Sequence, residues 1–188
     1  MACELQGVDR GSYMKTWLIS DTHLGWANGI HKFHIRDFAS VEEMDETIYR
    51  NWRERVADED LVYHLGDLTL RRPAEQHYID RLNALPGRKI LILGNHDHWA
   101  TEDYLKIFEK VLSMKVLGKP RVVLTHIPVH KSQIGQWKAN IHGHTHDMDM
   151  PHSAYFNVCV EKTEYAPILL DDVLKRVQAY LRREEEPC

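Results

Sequence analysis

The chain has 188 residues, 43% hydrophobic and 28% charged, the balance of one ordinary globular domain with its own core. A formal charge of −4 excludes the broad basic face of a sequence-independent nucleic-acid binder, though a small phosphorylated substrate stays open because bound cations would invert the local field. No segment reads as a membrane span, and the scattered Cys3, Cys159 and Cys188, without a CxxC spacing, exclude a disulfide framework and a thiolate zinc site.

Residues 1–14 lack an apolar h-region and read as a loose tail, so no signal peptide is expected and a reducing cytoplasm is the natural compartment. One domain is expected over 15–183. The apolar run TWLIS, 16–20, predicts the first strand. Helical spacing over 41–56 precedes a second strand at 60–65. Another helix, 73–85, starts on Pro73 and stops before Gly87. Strands at 89–93 and 121–125 follow, with a helix expected over 101–110. ANIH at 139–142 and YFNVCVE at 155–161 predict two more strands. Spacing of Leu170, Val173, Leu174, Val177 and Leu181 predicts a closing amphipathic helix over 170–183, before a solvated acidic tail at 184–188. Strands alternating with helices imply a layered α/β domain, in which ligands sit beyond the carboxyl ends of strands.

Histidine is the compositional outlier, at 13 residues, and its clustering is informative. Each expected strand runs straight into a polar motif: Ser20-Asp21-Thr22-His23, Gly66-Asp67, Gly94-Asn95-His96-Asp97, Thr125-His126 and His142-Gly143-His144-Thr145-His146. At one sheet edge these would bring together Asp21, His23, Asp67, Asn95, His126, His144 and His146. The glycines at 66, 94 and 143 allow close backbone approach. Carboxylate, imidazole and amide oxygen without thiolate suit first-row divalent ions better than calcium. Such a set exceeds one four-coordinate zinc but fits two ions sharing a carboxylate. If Asp21–His23 and His144–His146 are extended, each pair faces one site. His142, on the strand that precedes them, reads as structural.

DTH, GDL, GNHD, TH and GHTH, in this order over roughly 15–161, resemble the calcineurin-like metallophosphoesterase superfamily, most closely its small single-domain bacterial or phage-type phosphoesterases. The resemblance implies a two-sheet β-sandwich flanked by helices, a four-layer αββα arrangement with metals at the sheet edges. It implies two divalent ions, Mn first, with Fe, Zn, Co or Ni as alternatives. Carried over by position, Asp21, His23 and His146 would hold one ion and Asn95, His126 and His144 the other, with Asp67 bridging. A water or hydroxide between the ions would attack phosphorus in line. His96 would protonate the leaving oxygen, a role histidine suits because it titrates near neutrality as a residue type. Asp97 would orient this apparatus from behind, or act only as a turn residue.

One departure narrows the activity. Protein phosphatases of this superfamily continue the second motif as GDxxDRG; here Leu70 stands where the aspartate would be. The pattern is closer to phosphodiesterases and nucleotide hydrolases. Arg71, in the position of a phosphate-binding arginine, and Arg72 are candidate phosphate clamps. His34 and His98 are candidate substrate contacts, with His31 and Arg36 in the same loop class. Trp26 and Trp99 follow metal motifs and read first as packing residues. The specificity loops are expected at 26–38 and 68–76. The expected function is hydrolysis of a phosphate ester, preferably a diester, of a nucleotide or small molecule by a monomer or small homo-oligomer without a membrane partner. A phosphomonoesterase or nucleotide pyrophosphatase is the catalytic alternative. A non-catalytic scaffold is disfavoured because every ligand position and His96 are present.

Overall fold

A computed structural model of the chain describes residues 13–70 and 75–185. Most of the expected N-terminal tail, the clamp residues Arg71 and Arg72, Pro73 and the end of the acidic tail therefore lie outside the described residues. In chain order the elements are β1 (Thr16–Ile19), α1 (Ala27–His31), α2 (Val41–Arg55), β2 (Leu61–His64), α3 (Gln76–Asn83), β3 (Arg88–Ile92) and α4 (Thr101–Tyr104). They continue with β4 (Lys110–Leu112), β5 (Lys115–Leu117), β6 (Val122–Thr125), β7 (Ala139–His142), β8 (Tyr155–Asn157), β9 (Ile168–Leu169) and α5 (Leu170–Glu185).

Two sheets form. The first has the order β4-β3-β2-β1-β9, parallel except for β9. The second has the order β5-β6-β7-β8, parallel except for β5. The strand period of two sorts the core. Trp17, Ile19, Val62 and Leu91 join Met44, Ile48, Tyr49 and Trp52 of α2 and Tyr78, Ile79 and Leu82 of α3. The alternate residues Leu18, Tyr63, Ile90 and Ile92 meet Val122, Leu124, Ala139, Ile141 and Phe156 of the second sheet, with Val173 and Val177 of α5. This is the expected α/β sandwich of two sheets flanked by helices.

Helix α2 starts where its sequence dictates. Ser40 caps it, accepting from the Glu43 N–H (3.1 Å), while the Glu43 carboxylate accepts from Ala39 N (2.8 Å). Its buried positions fall at 44, 45, 48, 49 and 52, one face of the helix.

Two expectations are corrected. The helix expected over 101–110 ends at Tyr104, whose ring stacks on Trp99, and Lys110 already pairs with Ile90 as the first residue of β4. The strand expected over 155–161 stops at Asn157, and Val160–Lys162 forms a 3₁₀ turn. The Asn157 side chain breaks the ladder by accepting from Cys159 N (2.9 Å).

Two stability outcomes follow. Trp52 is fully buried and its indole donates to Pro86 O (3.0 Å), so Trp52→Ala should lower unfolding free energy by about 3–5 kcal/mol, read as a lower urea midpoint. Asp45 is buried, accepts from Gly25 N (3.1 Å to each oxygen) and from Tyr78 Oη (3.3 Å), and burial pushes its carboxyl up to about 6. Folding therefore favours its protonated form, a contribution present below pH ~4 and lost as pH rises through about 6. Asp45→Asn should flatten urea stability across that window, a change of at most about 3 kcal/mol.

Candidate metal centre

The motif loops leave the strand ends side by side. Asp21 N donates to Gly66 O (2.9 Å), His23 N to Asp67 O (3.0 Å) and Leu24 N to Leu68 O (3.0 Å), continuing the β1–β2 pairing into the loops. Five of the motif side chains then sit on left-handed backbone: Asp21 (φ 57°), His23 (44°), Asp67 (55°), His144 (70°) and His146 (51°). Such φ values are uncommon outside glycine and cluster at functional sites. They also correct the expectation that the 21–23 and 144–146 pairs are extended.

The structure gathers the carboxylates and imidazoles into two groups, each able to hold a metal ion: Asp21 with His23 and His146, and Asp67 with His126 and His144. His144 and His146 thus part company, one in each group. Asn95 joins the second group, its Oδ1 lying 2.9 Å from His126 Nε2. Asp67 Oδ2 lies between the groups, 3.5 Å from His23 Nε2 and 3.4 Å from His126 Nε2.

The donor atoms fit cations. Asp21 Oδ1 and His23 Nε2 face each other across 3.7 Å, both buried and, among the described residues, both without a hydrogen-bond partner. Such orphaned lone pairs are costly unless a ligand satisfies them. His126 Nδ1 donates to Leu65 O (2.8 Å), which turns the Nε2 lone pair toward Asn95 and Asp67. His146 Nδ1 likewise donates to Glu161 Oε1 (2.8 Å), leaving Nε2 for the first group. Burial would raise Asp21, yet His23, His126 and Ser20 beside it hold its carboxyl far below the usual range. Burial also lowers His23 despite that neighbour, so the pair is a carboxylate beside a neutral imidazole.

Behind the donors lies a fixed frame. Asp21 Oδ2 accepts from Ser20 Oγ (2.5 Å), His144 N (2.8 Å) and Cys159 Sγ (3.2 Å), which aims Oδ1 at the first group. Gly143 must be glycine, since a Cβ there would collide with Ser20 Oγ and Asp21 Oδ2. Asp97 accepts from Asp67 N (2.8 Å), Gly94 N (2.8 Å) and Leu68 N (2.9 Å), and so ties two motif loops together. His96 N donates to Asp67 Oδ1 (2.8 Å), and its exposed ring stands 5.6 Å from the His23 ring, centroid to centroid.

The remaining candidates divide. Arg36 does not line a pocket: it is buried, donating to Asp21 O (2.5 Å), Thr22 O (2.8 Å) and Glu161 Oε1 (2.8 Å from Nη2). His98 is exposed, with its ring 6.4 Å from that of His96. His34 is exposed, and among the described residues no hydrogen bond or ring contact joins it to either group. His142 is buried on the strand itself and belongs to neither group. Trp99 packs in the core, whereas Trp26 flanks the site, 4.8 Å from His23 and 5.4 Å from His146 between ring centroids. Sequence reasoning missed Glu161, Ser20 and Cys159. Their available signal was position: Ser20 precedes Asp21, and Glu161 closes the run expected as the last strand.

The sequence matches the calcineurin-like phosphoesterase superfamily domain over residues 14–160. The chain belongs to this superfamily. It is a metal-dependent phosphoester hydrolase. It is 35% identical over 174 residues to an uncharacterized protein of Methanocaldococcus jannaschii, covering 89% of this chain and 93% of that one. The gene 66 protein of Mycobacterium phage L5 is 34% identical over 164 residues, covering 70% and 77%. A solved structure of a protein of unknown function from Aquifex aeolicus superposes with a TM-score of 0.71 at 28% identity, covering 87% of this chain and 99% of that one. Among the described residues no helix is long and apolar enough to cross a membrane.

Glu161→Gln should weaken metal retention about 10–100-fold, measured by chelator competition and metal analysis, with far-ultraviolet circular dichroism unchanged. Unchanged retention would reduce Glu161 to a partner of Arg36 alone.

Proposed function

We propose that the chain is a phosphodiesterase working through a dinuclear centre, with one divalent ion on Asp21, His23 and His146 and a second on Asn95, His126 and His144. Asp67 bridges them. The observation that carries this reading is the position of Asp67 Oδ2, within 3.5 Å of a nitrogen in both groups. No monodentate ligand of a lone ion needs to lie between two sets. The family resemblance makes manganese the first choice, with iron, zinc, cobalt or nickel as alternatives, and a nitrogen and oxygen set suits such first-row ions. The bound ions supply Lewis acidity and an activated water at neutral pH.

The chain's own residues do the rest. Water adds its oxygen to phosphorus and releases a proton to solvent. The bond from phosphorus to the leaving oxygen breaks, that oxygen takes a proton from a ring nitrogen of His96, and solvent returns a proton to His96. His96 is exposed beside His23 and free to reach a substrate, while its backbone N–H holds Asp67 Oδ1. Asp97 positions Asp67 by binding its N–H. Substrates are small phosphorylated molecules or nucleotides. Leu70, in place of the aspartate of the protein phosphatases, supports that restriction. The free, buried Cys159 and the absence of paired cysteines in sequence support a reducing cytoplasm.

The test is steady-state hydrolysis of aryl phosphodiesters with defined Mn²⁺. Asp67→Asn should remove activity. His96→Ala should cost roughly 10²–10⁴-fold with a poor leaving group such as an alcohol, and much less with 4-nitrophenolate, which leaves without protonation. Full activity of both variants, or a loss in His96→Ala that ignores the leaving group, would overturn the mechanism.

A further inference from the structure

An apolar hollow adjoins one side of the centre. It has a volume of about 360 Å³ and is lined by the apolar Leu93, Met114 and Ile127 and by the polar Asn95, Ser113, Thr125 and His126. The three apolar side chains come from different places, the ends of β3 and β6 and the turn between β4 and β5. Packing would normally cover them, yet Leu93 is 40%, Met114 39% and Ile127 53% exposed. Among the described residues no Lys, Arg, Asp or Glu lines the hollow. A charged peptide would find no countercharge there, whereas a flat aromatic or alkyl group would be removed from water.

Its side decides which part of a substrate it takes. His96 does not line the hollow; its ring lies toward His23 and His98. The group that leaves must sit beside His96, its proton donor. The hollow lies against the second metal group, so it faces the ester substituent that stays on phosphorus. Resting on the phosphodiesterase reading, we propose that this hollow is the subsite for an aromatic or apolar retained substituent of the diester. It supplies a physical reason for diester preference, because a monoester has nothing to place there. Continuity with Asn95 and His126, rather than apolarity alone, selects this occupant over a second protein.

The experiment compares two diesters with the same leaving group, phenyl 4-nitrophenyl phosphate and methyl 4-nitrophenyl phosphate. Hydrolysis of each consumes one water and gives 4-nitrophenol with phenyl or methyl phosphate. The wild type should favour the phenyl ester about tenfold in kcat/KM, carried mainly by KM. The double variant Met114→Ser/Ile127→Ser should lose most of that preference. Leu105→Ser, an exposed apolar position on the turn after α4, should keep it. A wild type that hydrolyses both esters equally, or a double variant that keeps the preference, would overturn the subsite and leave the phosphodiesterase reading standing. A wild type that hydrolyses neither would instead overturn that reading. Size-exclusion chromatography is read in parallel: a double variant that changes oligomeric state and keeps the preference assigns the face to a second copy of the chain.

Discussion

Asp21 is bound from both sheets before any cation is considered. Its N–H donates to Gly66 O beside it in the first sheet, while its Oδ2 accepts from His144 N and Cys159 Sγ at the end of the second. One carboxylate oxygen therefore fixes how the sheet edges meet, and the other is left buried, without a hydrogen-bond partner among the described residues, and aimed at His23. The hollow between the edges inherits its shape from this contact. A side chain larger than hydrogen at 143 would push the second sheet away, and the two donor groups would separate.

The same logic explains the backbone. Left-handed φ at Asp21, His23, Asp67, His144 and His146 costs on the order of 1 kcal/mol each, and local stability would not select it. Hydrogen bonds to neighbouring loops hold these conformations in place, Asp97 alone accepting from the backbone of Asp67, Leu68 and Gly94. Arg36 and Glu161 do the same on the opposite flank: the guanidinium ties Asp21 O and Thr22 O to the carboxylate that orients His146. Burial works against each of these charges, and mutual pairing keeps Glu161 low and His146 high. Strain and buried charge are concentrated where cations are to be held.

Sequence patterning revealed much of this because its signals were local. Apolar runs such as TWLIS and KILIL, and a polar motif after each run, placed the donors at one edge without coordinates. What it missed depends on partners distant in sequence. β4 and β5 are three residues each and exist through pairing with β3 and β6. β9 is two residues against β1. Arg36 looked like a loop residue free to meet substrate, and only its 125-residue-distant contact with Glu161 shows it to be internal. The pairing of His146 with Asp21 and His144 with Asp67 was readable from the family resemblance and not from spacing, since the extended geometry assumed for those segments does not occur.

The central claim is that Asp67 joins two ions into one centre. Electron paramagnetic resonance of the protein titrated with Mn²⁺ tests this most directly. The account predicts two equivalents bound per chain and a spectrum of exchange-coupled ions, lost in Asp67→Asn in favour of isolated ones. Binding of a single equivalent, or a spectrum of isolated Mn²⁺ at saturation of the wild type, would contradict it.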